Sequence, residues 1–112
     1  MPFDNVPPLT RYLSDIERRD LRALRQARRL IESPEKWCKG QYVNDGRMCV
    51  LAAVQHCDWG RPRDGWETAA LRLHELLPKG MTLPVFNDMP RTTHADVLAL
   101  LDRAIAELNV GG

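Results

Sequence analysis

Apolar residues between Thr10 and Glu32 recur at Leu13, Ile16, Ala23, Leu24, Ala27 and Ile31. At about 100° per residue these positions share one face, which predicts an amphipathic helix turned toward a core. Ser14 followed by Glu17 fits a capping box at its start. Asp20 interrupts the apolar face, so a break or restart is expected there. Further on, MCVLAAVQHC (48–57) is apolar nearly all the way round. A helix surrounded by others has that pattern, and the segment is read as the central helix. Trp66, Ala69, Ala70, Leu73, Leu76 and Leu77 form a third stripe, opened by a capping box of Asp64 with Glu67 and stopped by Pro78 and Gly80. A last helix is predicted from about His94 to Asn109, capped by Thr93 with Asp96 or by Thr92, and stopped by Gly111. Its inner face holds Val97, Leu98, Leu101, Ala104, Ile105 and Leu108, with His94 near the middle.

The intervening segments carry turn chemistry. MPFDNVPPL (1–9) has three prolines and no period, which predicts an extended N-terminal arm. SPEKW predicts a short helical turn with Pro34 in its first turn and Trp37 as anchor. Gly40, Tyr42-Val43 and Asn44-Asp45-Gly46 predict a β-hairpin or tight loop at about 40–48. DWGRPRDG and KGMTLPVFNDMPR read as loops, the second returning Leu83, Val85 and Phe86 to the core. The expected fold class is therefore mainly α. A single compact domain spans 10–110, with four to five helices around the apolar central helix.

Composition narrows the function classes. The chain has 112 residues, 44% hydrophobic and 28% charged, as an ordinary globular domain does. No apolar run approaches the roughly 20 residues of a membrane span, and the first residues lack the pattern of a secretory signal. A cytoplasmic location is the expectation. Cys38, Cys49 and Cys57 have neither an even number nor disulfide-scaffold spacing, which suits reduced thiols. The formal net charge of +1 gives no bulk attraction to nucleic acid.

Several fragments taken in order resemble a known family. They are Trp37-x-x-Gly40, Asp45-Gly46 leading to Cys49-x-x-x-Ala53, Phe86-Asn87-Asp88, Thr93-His94-x-Asp96-Val97 and Leu101-Asp102-x-Ala104-Ile105. From about residue 22 to 106 the chain is similar to short bacterial and phage-borne proteins classed as a domain of unknown function. The resemblance implies a small, mostly helical intracellular protein, with a mobile-element or phage context open, and carries over no catalytic residue.

Three constellations could carry chemistry. Cys49 stands near the start of the central helix, where the dipole and free N–H groups favour a thiolate. His94, Asn87 and Asp88 could supply a base and its orienting partner, as covalent catalysis requires. Arg11, Arg18, Arg22, Arg25 and Arg29 fall within about 60° of one line on the first helix, opposite its apolar face. Such a row suits phosphates or an acidic protein surface. Trp59 lies in a loop beside Arg61 and Arg63, the pairing enriched at contact hot spots. Cys38, Cys49, Cys57, His56, His74 and His94 lack zinc-ligand spacing, so no metal or cofactor is expected.

The leading expectation is a noncatalytic protein-binding module with an unidentified protein partner. It would act through Trp59, Arg61 and Arg63 or through Arg18, Arg22, Arg25 and Arg29. A small cysteine-dependent enzyme using Cys49 and His94 is the first alternative, and nucleic-acid binding through the arginine stripe the second. Homo-oligomerisation is left open.

Overall fold

A computed structural model describes residues 13–58 and 61–109. The arm read at 1–9, Arg11 and the Trp59 loop tip lie outside the described residues. The first helix, α1 (Asp15–Leu30), starts on the capping box. The Glu17 amide donates to Ser14 Oγ at 3.1 Å, and the Ser14 amide donates to Glu17 Oε1 at 2.9 Å. Leu21, Leu24, Ala27 and Ile31 are buried at helical spacing. The helix runs unbroken through Asp20, against expectation. Asp20 is fully buried, but Thr68 Oγ1 donates to its Oδ1 at 2.5 Å and Arg72 Nε to its Oδ2 at 2.7 Å. Pairing offsets the cost of the buried charge, so the helix carries Asp20 inward without a break.

After α1 come a 3₁₀ turn (Pro34–Lys36) and a hairpin of β1 (Val43–Asn44) and β2 (Arg47–Met48). Its two-residue turn places Asp45 at φ 49° and Gly46 at φ 87°, the left-handed conformations that Asn-Asp-Gly tolerates. The central helix, α2 (Val50–Gln55), is shorter than the pattern predicts. Val50, Ala52, Ala53 and Val54 have no exposed surface, as a helix enclosed on all sides requires. The chain then becomes extended as β3 (His56–Asp58) pairs antiparallel with β4 (Arg61–Pro62), a second hairpin where a plain loop is expected.

In α3 (Trp66–Glu75) the Asp64 capping box is replaced by Gly65 at φ 70°, with no side-chain cap. The Arg19 guanidinium occupies the space that a Cβ at position 65 would fill, so only glycine meets both demands. The segment expected as a loop near Leu83 contains α4 (Leu83–Asp88), started by Thr82 Oγ1 on the Val85 amide with Pro84 in the first turn. Leu83 is buried and Phe86 partly so, whereas Val85 is 53% exposed.

The last helix, α5 (His94–Asn109), has the predicted bounds. Thr93 and Asp96 cap each other's amides at 2.9 and 3.1 Å. Helix α1 packs on α2, α3 and α5, while α4 closes against α2 and α3, leaving one core with α2 inside.

Candidate functional site

The sequence-predicted groups separate into a buried polar node and an exposed cationic face. The node forms where α4 meets the chain before α2. Trp37 and Met48 make a parallel bridge, and the Cys38 amide donates to the Met48 carbonyl at 3.1 Å. The next rung of such a ladder would run from the Val50 amide to the Cys38 carbonyl. The Asn87 carboxamide is interposed there instead. Its Oδ1 accepts from the Val50 amide at 3.0 Å, and its Nδ2 donates to the Cys38 carbonyl at 3.0 Å. Oδ1 also accepts from Trp37 Nε1 at 2.6 Å, and Nδ2 donates to Asp88 Oδ1 at 2.9 Å. Asn87 is fully buried, and all four of its hydrogen-bonding positions are used. Asp88 Oδ1 in turn accepts from the Gly40 amide at 2.8 Å.

Cys49 caps α2, its Sγ accepting from the Ala52 amide at 3.4 Å. Burial pushes its thiol pKa up, outweighing the Ala52 and Leu51 amides that pull it down. Six residues of helix offer only a small dipole, whereas the sulfur is almost wholly enclosed. Burial likewise raises Cys38, with Cys49 and Asp88 adding to the effect. Thiols held protonated in this way are weak nucleophiles near neutral pH.

His94 is drawn into the same end of the molecule by another route. Its Nε2 donates to the Ile31 carbonyl at 2.6 Å, which fixes the tautomer because a carbonyl can only accept. Its ring centroid lies 5.8 Å from that of Trp37, and Lys39 Nζ lies over the Trp37 ring, 5.7 Å from its centroid. No hydrogen bond joins His94 to Cys49 among the described residues. Asn87 and Asp88 are brought together with the backbone of Cys38 and Gly40, not with the imidazole.

The cationic face is the outer side of α1. Arg18, Arg22, Arg25 and Arg29 are exposed and line one open groove of about 370 Å³ with Leu21 and Gln26. Among the described residues none of the four forms an ion pair, and only Arg25 has a side-chain partner, Asn109 Oδ1 at 3.4 Å. A second groove of about 240 Å³ shares Arg22 and Gln26, and a third of about 300 Å³ shares Arg29 and adds Lys36. Gln26 is the member that sequence reasoning missed. Its signal was its place four residues after Arg22, one turn along the same side.

Neighbouring arginines behave differently. Arg28, off the line, grips Asp102 of α5 with Nε at 2.5 Å and Nη2 at 3.3 Å, and reaches Glu32 at 3.4 Å. The Asp102 bond raises its pKa still further. Arg61 is exposed on β4. Arg63, expected as a contact residue, is buried. It donates to the carbonyls of Val54 at 2.9 Å, Ala53 at 3.2 Å and His56 at 2.6 Å, and also bonds Gln26 Oε1. It closes the C-terminal end of α2, whose last carbonyls have no helical partner.

Among the described residues, no group of three or more His, Cys, Asp or Glu side chains is placed to hold a metal ion, and no helix is long and apolar enough to cross a membrane. A family of unknown function, DUF6197, matches residues 16–107. The chain belongs to that family. The DUF6197 match extends from the first turn of α1 to the last turn of α5, so it takes in both the Asn87 node and the arginine face. No curated protein and no solved structure matches the chain.

Proposed function

We propose that the protein is a noncatalytic binding module of the bacterial cytoplasm that recognises an acidic protein surface through the outer face of α1. We also propose a phage or mobile-element setting, on the resemblance to such proteins. The observation that carries this reading is the row of Arg18, Arg22, Arg25 and Arg29, exposed along one groove with no carboxylate partner among the described residues. Guanidinium groups present a planar fork that suits carboxylates, and their apolar stems cover surface while the heads stay wet. A single exposed ion pair contributes only about 0.2–1 kcal/mol, so recognition depends on several acting together.

Nucleic acid is the weaker candidate because a net charge of +1 lacks the usual basic footprint. A cysteine hydrolase is weaker still, with the Cys49 thiol pushed up by burial and the His94 Nε2 proton held by the Ile31 carbonyl.

The test is fluorescence anisotropy of a labelled oligoglutamate peptide at low ionic strength. Binding should weaken as salt rises through about 0.1 M, where the Debye length falls to about 10 Å. It should be lost in the Arg22→Glu, Arg25→Glu double variant. Absence of binding, or binding that ignores the reversal, rejects the reading.

A further inference from the structure

The spacing of the arginine row restricts the form of its partner. Arg18, Arg22, Arg25 and Arg29 are separated by four, three and four residues on one uninterrupted helix. Such steps swing the side chains by about 40° one way and 60° back, so the row runs nearly parallel to the helix axis, with rises of about 6, 4.5 and 6 Å. Resting on the acidic-partner reading above, we infer that the partner segment is itself an α-helix. It lies along α1 and carries carboxylates at the same four, three and four residue intervals.

The physical basis is register. A facing helix has the same rise per residue, so a carboxylate meets every guanidinium over the full length of about 16.5 Å. An extended segment spaces its same-face side chains by about 6.7 Å, so four of them span about 20 Å and fall out of step before the last pair. The interval reads the same in both directions, so either orientation of the partner preserves all four pairs.

Helix α1 already makes this kind of contact once inside the chain. Arg28 is gripped through two nitrogens by Asp102 of α5, a carboxylate projecting from an adjacent helix. The partner is not a second copy of this chain. The acids of α1 (Asp15, Glu17, Asp20), α3 (Glu67, Glu75) and α5 (Asp96, Asp102, Glu107) nowhere repeat the four, three, four interval.

The experiment compares alanine-rich peptides of about 16 residues and identical composition, one with four glutamates at the matching interval and one with them distributed around the helix. Oligoglutamate and duplex DNA are run alongside. The matched peptide should bind about tenfold more tightly than the distributed one, gain helical circular dichroism on binding, and lose its advantage in the Arg22→Glu, Arg25→Glu variant. Equal binding of the two peptides, still abolished by the reversal, overturns the helical partner while leaving acidic recognition standing. Failure of every acidic peptide overturns both. DNA binding tighter than the matched peptide assigns the face to nucleic acid and rejects both proposals. Far-ultraviolet circular dichroism of the variant alone verifies that it is folded.

Discussion

The Asn87 node and the arginine face use polar groups to opposite ends. At the node every hydrogen-bonding position of one carboxamide is taken by Trp37, Cys38, Val50 and Asp88, at the junction of α4 with the chain entering α2. On the outer side of α1, four guanidinium groups are exposed, one of them with a single neutral partner among the described residues. Inside the molecule a polar group that lacks a partner costs about 1–3 kcal/mol, and at the node such groups are consumed by the fold. At the surface water satisfies them, and they stay available to something else. The positions whose types look most chemical, Cys49, Asn87, Asp88 and His94, all hold backbone in place. The positions that look like an ordinary solvated face stay exposed, with no carboxylate partner among the described residues.

The contrast can be broken first at its most buried point. Asn87→Asp preserves shape but removes the donor to the Cys38 carbonyl and adds a buried charge. It should cost more than about 3 kcal/mol at pH 7 by urea denaturation. The sign of its pH dependence follows from linkage. Burial raises the introduced carboxyl pKa in the folded state above its unfolded value of about 4, so the deficit is complete at neutral pH and shrinks as pH falls toward that value. A deficit independent of pH would show that the carboxamide proton donor is not what matters.

Arg72→Ala comes next. It leaves the Asp20 carboxylate enclosed with Thr68 alone, and should lower stability by about 3 kcal/mol. A loss under about 1 kcal/mol would mean that water reaches Asp20 and that α1 is continuous for some other reason. Gly65→Ala is smaller, about 1–2 kcal/mol, because it combines a left-handed backbone with displacement of the Arg19 guanidinium. Shortening Arg19 to alanine in the same protein should recover the steric part and leave the backbone part.

These variants also mark where the sequence stops being readable. Helices α1 and α5 were legible because a capping pair and a repeated apolar face are local: Ser14 with Glu17, Thr93 with Asp96, and the Leu21, Leu24, Ala27 series. The first hairpin was legible from Asn44-Asp45-Gly46. Continuity through Asp20 was not, because the groups that satisfy it, the Thr68 hydroxyl and the Arg72 guanidinium, come from α3 about fifty residues away. Helix α4 is too short for a period to register, and Pro84 resembles a loop signal until it is placed in a first turn. Arg63 looked like a surface residue because its partners are carbonyls, which carry no sequence signature. From the sequence Asn87 is expected as an orienting partner for a catalytic base, whereas its bonds go to Trp37, Cys38, Val50 and Asp88. Its role as a missing ladder rung depends on Cys38 and Val50, which only the fold brings to it.

The smallest effect on stability should accompany the largest effect on binding. The Arg22→Glu, Arg25→Glu protein is therefore to be measured twice, by urea denaturation and by anisotropy with the matched acidic peptide. The outer face of α1 is predicted to keep stability within about 0.5 kcal/mol of the unaltered chain, as surface substitutions do, while peptide binding disappears. A protein that loses stability and still binds the peptide would contradict the division between a core that spends its polar groups and a face that keeps them.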